Sequence, residues 1–235
     1  MITIKIADLP IGVDNRFEHI KIQARDYLTD LEPLFTVSVS DEDIDCERTS
    51  SGTDYPSGYY ESIITYRKIA DKLYEYDGFL FHGCVIELDG RAYIITASSG
   101  VGKTTHTRLW LSEFGTEVSI INGDKPTVRI IDGIAYACGT PWQGKEGYGK
   151  NTMKPIAGIA FLARGEKNRA NEISPSDAVT RFMSQIYLPR KNPIALTKTM
   201  LLADKVIRNV KLVELECNME SEAAHVCRAA LTRND

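Results

Sequence analysis

The sequence has no apolar run long enough to span a bilayer, no CxxC pair, no internal repeat and no low-complexity tract, and each absence removes a class of protein. No membrane partner is expected. The opening residues MITIKIADLP lack the basic start and long apolar stretch of a secretory signal, so the expected location is cytoplasmic. The five cysteines, Cys46, Cys84, Cys138, Cys217 and Cys227, are odd in number and widely spread, with no histidine at metal-ligand spacing. They read as reduced thiols, not as a disulfide frame or a zinc site. A one-sided charge is missing too: 28 basic against 32 acidic residues, a net of −4, gives no electrostatic reason to expect nucleic acid. A small molecule or a protein substrate fits better.

What is present is apolar material. With 43% hydrophobic residues, a chain of 235 can bury a substantial core, as one large domain or a small lobe on a larger one. Residues 1–78 read as an accessory N-terminal lobe: strands at 2–6 and 34–39, a polar loop over 41–58 rich in turn formers, and no chemical motif. A helix is predicted over 59–76, with Ile63, Tyr66, Ile69, Ala70 and Leu73 on one face and Gly78 as its left-handed cap.

Residues 79–235 read as the second domain. Two β-rich runs, 79–88 and 91–97, flank the tight-turn pair Asp89-Gly90, and a second hairpin is predicted at 127–131 and 134–138 around Asp132-Gly133. Between them lie a helix over 104–114 and a buried strand over 117–122. Residues 139–151, GTPWQGKEGYGKN, must be loop, and 156–162 a strand. Ser174-Pro175 opens a helix with Val179, Phe182, Met183 and Ile186 on one face, and Leu196, Met200, Ala203 and Ile207 mark another. A strand over 210–215 precedes a last helix capped by Asn218, with Glu220 and Glu222 in its first turn. The predicted fold is α/β: a mixed, hairpin-rich sheet with flanking helices, without the strict strand-helix alternation of a doubly wound sheet.

The chemistry sits at Ala97–Thr105, ASSGVGKTT, which fits the Walker A pattern with alanine in its first position. Gly100 and Gly102 allow backbone N–H groups to turn inward around phosphate oxygens, and the following helix adds the positive end of its dipole. Lys103 supplies the cation for the β and γ phosphates, and the Thr104 hydroxyl can reach Mg²⁺. The loop residues Ser99, Gly100, Val101, Gly102, Lys103, Thr104 and Thr105 are therefore the candidates for holding ATP, with Mg²⁺ as its companion. Such a site also needs a carboxylate at the end of a neighbouring strand, and VSIINGD places Asp124 there, as metal ligand or as base for an attacking hydroxyl. Trp142, Lys145 and Asn151 in the glycine-rich loop are candidates for clamping the acceptor, although an exposed loop with an aromatic anchor accounts for them equally well. Arg169, Arg190 and Lys191 lie in polar turns and read as solvated charges.

FHGCVIELDGRAYIITASSGVGKTT followed by SIINGDKPTVRI resembles the catalytic core of bacterial HPr kinase/phosphorylase, and the same loop and aspartate are similar to those of phosphoenolpyruvate carboxykinase. The resemblance covers residues 81–131; the later GTPWQGKEGYGKN and VKLVELECN look like shorter HPr-kinase-like proteins, including kinases of ribosomally made peptides. It implies a P-loop core of that family's kind, His82 beside the reacting centre, Asp124 as metal ligand or base, Lys103 among the catalytic groups, and assembly into homo-oligomers. Both relatives carry two adjacent aspartates where this chain has Gly123-Asp124. The implied function is an ATP-dependent phosphotransferase acting on a hydroxyl, serine in a peptide or protein. A small-metabolite kinase, for instance of free serine, and a non-catalytic nucleotide-binding regulator are the alternatives.

Overall fold

A computed structural model describes residues 1–232. In chain order the elements are β1 (Ile2–Ile6), β2 (Leu9–Asp14), α1 (Glu18–Gln23), β3 (Phe35–Ser38), α2 (Asp41–Ser51), α3 (Ser57–Leu73), β4 (Gly78–Leu80), β5 (Cys84–Leu88), β6 (Arg91–Thr96), α4 (Lys103–Phe114), β7 (Val118–Asn122), β8 (Thr127–Ile131), β9 (Ile134–Cys138), β10 (Met153–Arg164), β11 (Arg169–Glu172), α5 (Pro175–Met183), α6 (Pro193–Asn209), β12 (Lys211–Cys217) and α7 (Glu222–Thr232).

A nine-stranded mixed sheet runs β4-β8-β9-β10-β6-β5-β7, with β12 also on β10 and β11 on β12. The long β10 joins its halves, pairing antiparallel with β9 through Met153–Pro155 and then parallel with β6 and β12. Successive strand residues point to opposite faces. Val85, Ile94, Ile159 and Leu212 therefore pack against Phe182 of α5 and Leu202 and Val206 of α6, while their neighbours Ile86, Ile95, Ala160 and Val213 pack against Trp110 of α4 and Cys227 of α7. A fully buried side chain of this size contributes about 1.5–3 kcal/mol, against at most about 1 kcal/mol for an exposed ion pair, so these two helix-on-sheet layers hold the structure. Both Asp-Gly pairs form the tight turns expected of them, with left-handed backbone at Asp89 and Gly90 and at Asp132 and Gly133.

The N-terminal residues form a separate three-stranded sheet, β1-β2-β3. Ile69, Ala70 and Leu73 of α3 close its core together with Cys138 and Trp142 from the far part of the chain. The polar stretch expected as loop is helical over α2. Its signal is in its ends: the Ser40 side chain accepts from Asp43 N–H, the Asp43 carboxylate accepts from Ser40 N–H, and Gly52 closes the helix in left-handed conformation. With Ile44 as its one buried residue it has no apolar periodicity to read, and Lys68–Asp43 and Arg67–Glu47 pairs tie it to α3.

Other expectations shift for local reasons. Helix α3 ends at Leu73, and after a 3₁₀ turn it is Asp77, with φ 56°, that takes the left-handed position, leaving Gly78 to start β4. The run 79–88 is two strands, because Phe81, His82 and Gly83 cross from one partner to another. Val179 and Met200 are exposed and Ile186 lies beyond α5. Phe182 on α5 and Ala203 and Ile207 on α6 are buried as their spacing implies, and Ala178 on α5 and Ala195, Thr199, Leu202 and Val206 on α6 complete the buried stripes. Arg169 is on β11, ion-paired with Glu216 of β12, not in a turn. Asn218 accepts from Glu220 N–H in a turn ahead of α7 and is not its cap. No helix among the described residues is long and apolar enough to cross a membrane.

Candidate functional site

The loop between β6 and α4 is shaped by its glycines. Gly100 and Gly102 hold φ of 78° and 130°, which other residues adopt only under strain, and the space beside each is open. Gly102 is the N-cap of α4 and offers no side chain to the first-turn N–H groups, and no acidic residue stands in that turn. The first intrahelical bond, His106 N–H to Gly102 O at 2.9 Å, leaves the N–H groups of Lys103, Thr104 and Thr105 without a helical acceptor. Lys103 Nζ donates to Ala97 O at 2.9 Å, across the mouth of the loop. From the end of β10, Arg164 donates Nε to Val101 O at 3.0 Å and Nη2 to Gly100 O.

Facing this loop is the end of β7. Asn122 is fully buried; its Oδ1 accepts from Asp124 N–H at 2.9 Å and Lys125 N–H at 2.8 Å, while its Nδ2 donates to Thr140. This side-chain turn aims Asp124 back toward the loop. His82 reaches Asp124 from the crossing between β4 and β5. Its own N–H donates to Gln185 O and its carbonyl accepts from Thr96 Oγ1, while the next N–H, of Gly83, donates to Asp124 O. Gly83 is tight: a Cβ there would meet Ile94 Cγ2 at 3.0 Å. The imidazole lies with Nδ1 3.1 Å from Gln185 Oε1 and Nε2 3.4 Å from Asp124 Oδ1, and Lys125 Nζ is 3.3 Å from the same oxygen. Burial pushes the Asp124 carboxyl up, but the His82 hydrogen bond and the Lys125 charge outweigh it and hold it below the usual carboxylate range. Burial lowers the Lys103 ammonium, with the Asp124 charge pulling the other way.

Loop and strand end are two walls of one cavity of about 750 Å³. Ser99, Gly100, Gly102, Lys103, Thr104 and Thr105 line it together with His82 and Asp124. Val101 does not: its N–H bonds to Ser98 O. Of the acceptor-loop candidates, Lys145 lines the cavity and Asn151 does not, its amide donating to Asp26 O. Trp142 also lines it, but as an anchor: it is 7% exposed, its Nε1 donates to Ser62 Oγ at 2.9 Å, and Ser62 donates on to Gln23. Cys84 lies in the wall too, where burial raises its thiol to about 12, so it is no nucleophile at neutral pH.

Gly123 has a steric reason. A Cβ at that position would stand 2.6 Å from the backbone oxygen of Gln143, so the loop over residues 139–151 closes where a second carboxylate would project. Sequence reasoning missed Asn122 and Gln185, and it missed that α1 supplies His19 and α3 supplies Tyr59 and Tyr66 to the cavity. The Asn-Gly-Asp triplet, a side-chain turn signal, would have pointed to Asn122; nothing in the sequence marks Gln185. No group of three or more His, Cys, Asp or Glu that could hold a metal occurs among the described residues.

No family model matches the chain, and none of the curated proteins matches it. Among solved structures, the HPr(Ser) kinase/phosphatase from Coxiella burnetii is similar at 8% identity and a TM-score of 0.35, over 63% of this chain and 93% of that one.

Proposed function

We propose that the chain is an ATP-dependent phosphotransferase that moves the γ-phosphoryl group onto a hydroxyl, serine in a peptide or protein. The observation that carries this reading is the meeting, in one cavity, of a glycine loop with an uncapped helix N-terminus and Lys103 and, opposite, an ionised carboxylate flanked by His82 and Lys125. Serine as acceptor rests on the resemblance of residues 81–131 to the HPr kinase core.

The residues fit Mg-ATP. The open left-handed glycines leave a cradle for phosphate oxygens, and Thr104 and Asp124 are the hard oxygen donors that would hold Mg²⁺. When bound, the ion supplies charge neutralisation on the phosphates. Asp124 takes the proton of the incoming hydroxyl, whose oxygen bonds to the γ-phosphorus as the bridging bond to ADP breaks. Lys103 and the N–H groups of the first turn of α4 stabilise the charge that moves, which is most of what this chemistry asks of a protein. His82, fixed by Gln185, and Asn122 keep the carboxylate in place.

The test is phosphate transfer from labelled Mg-ATP to a serine peptide, to free serine and to no acceptor. Transfer to the peptide that disappears in Lys103→Ala is expected. Labelling of free serine alone would move the acceptor to a metabolite, and tight Mg-ATP binding without turnover on any acceptor would sink the enzyme reading.

A further inference from the structure

The side of the larger cavity away from the glycine loop has a composition of its own. From α1 and α3 it takes His19, Tyr59, Ser62 and Tyr66, and from the loop over residues 139–151 Trp142 and Lys145. Ser62, Tyr66 and Trp142 are bound to one another: the indole donates to Ser62 Oγ and meets the Tyr66 ring edge-on, with centroids 5.5 Å apart. Tyr59 is different. It is 39% exposed and contacts two further exposed rings, Tyr55 at 4.6 Å and His19 edge-on at 6.3 Å, with Tyr55 48% exposed. Single exposed apolar side chains are ordinary, but a contiguous group of them running into a cavity marks a binding surface. Tyrosine suits that use, because it gives a large contact area for little side-chain entropy.

The charges beside these rings are one-sided. Lys103, Lys125 and Lys145 line the cavity, against Asp124 and Glu146. Asp124 is held by His82 and Lys125, and Glu146 is paired with Arg108 at 2.7 Å. Glu61, next to Ser62 on α3, is fully buried and accepts from the N–H groups of Arg16 and Phe17. Lys145 is exposed and has no ion pair among the described residues. A free hydroxy amino acid would carry an ammonium close to its reacting oxygen into a cavity whose lining carboxylates are all engaged, and like charges brought together disfavour such a partner. In a peptide that nitrogen is an uncharged amide, and the conflict is gone.

We propose that this face takes a peptide segment in which the accepting serine is flanked by an aromatic and an acidic residue, the ring packing on Tyr59 and Tyr55 and the carboxylate meeting Lys145. The inference rests on the phosphotransferase reading. It makes Tyr59 and Lys145 specificity-determining residues. Neither touches the reacting atoms, so both act on the binding of the acceptor and not on the transfer step.

The test measures transfer from Mg-ATP by the full chain to short N-acetylated, C-amidated peptides with one central serine. Its flanking residues are phenylalanine and aspartate in both orders, phenylalanine and lysine in both orders, or alanine on both sides, and free serine is run beside them. A phenylalanine–aspartate peptide is expected to give the lowest KM, about tenfold below the lysine and alanine peptides. Tyr59→Ala should raise the KM for that peptide about tenfold and leave kcat and the KM for ATP unchanged. Tyr59→Phe, which keeps the ring, should match the parent. Lys145→Glu should invert the order of the aspartate and lysine peptides, a result that poor folding of a variant cannot produce. Indifference to the flanking residues, a parental KM in Tyr59→Ala, or an order that Lys145→Glu leaves unchanged overturns the peptide site and leaves phosphotransfer standing. Transfer to free serine and to none of the peptides does the same. Absence of transfer to every acceptor overturns the phosphotransferase reading, and the peptide site falls with it.

Discussion

One wall of the larger cavity is made by residues close in sequence, between Ser99 and Thr105 at the junction of a strand and a helix; the other gathers His82, Asp124, Trp142 and, from α3, Tyr59 and Tyr66. The first is a local object whose shape follows from two glycines and a helix start. The second exists only once β7, the loop over residues 139–151 and α3 have packed together. The comparison teaches that the wall proposed to hold phosphate is fixed by short-range backbone geometry, and the wall proposed to meet the acceptor by tertiary assembly.

Substitutions should therefore act differently on the two walls. Lys103→Ala is expected to give the largest effect: a loss of phosphate transfer of at least about a hundredfold, the usual result of removing one preorganised stabiliser, with the unfolding midpoint little changed. Assay and thermal scan together check both halves. Gly123→Ala should do the reverse in kind, costing about 1–3 kcal/mol of stability because its Cβ meets the Gln143 backbone, and lowering transfer only by displacing the opposite wall. A variant as stable as the parent in urea would show that the close approach is not as drawn. Ser40→Ala, far from either wall, should cost about 1 kcal/mol through the lost capping box on α2, with activity intact. The smallest effect expected is on pH dependence. The Asp124 carboxyl lies below its usual range in the folded protein, so its contribution is fully present above the unfolded pKa and is lost as pH falls through the folded one. Asp124→Asn should flatten the acid side of the stability curve, measured by denaturation at stepped pH, and leave the neutral side's slope alone.

The same division explains what could be read from the sequence. The glycine loop over residues 97–105, both Asp-Gly pairs and Asp124 are local patterns, and the structure has a loop between β6 and α4, two tight turns and the end of β7 at those places. Helix α2 carries no hydrophobic spacing to read; its information is in Ser40, Asp43 and Gly52. On α5 and α6 the spacing picks out the buried Phe182, Ala203 and Ile207 but also the exposed Val179 and Met200, because apolar character alone does not say which residues of a helix turn inward. Gln185, which orients His82, and Ser62, which holds Trp142, are ordinary polar residues whose roles come from partners distant in the chain. The glycine loop over residues 139–151 illustrates both cases at once: its lack of regular structure was legible, its anchoring on α1 and α3 was not.

Arg164 carries a further consequence. By drawing the carbonyls of Gly100 and Val101 toward the end of β10, it fixes the orientation of two peptide planes, and in a trans peptide the N–H points opposite to the C=O. The Gly102 N–H is thereby turned away from Arg164. A loop of this composition would otherwise sample many conformations; here the ordering entropy belongs to folding, so the phosphate proposed to bind there would meet a receptor already shaped.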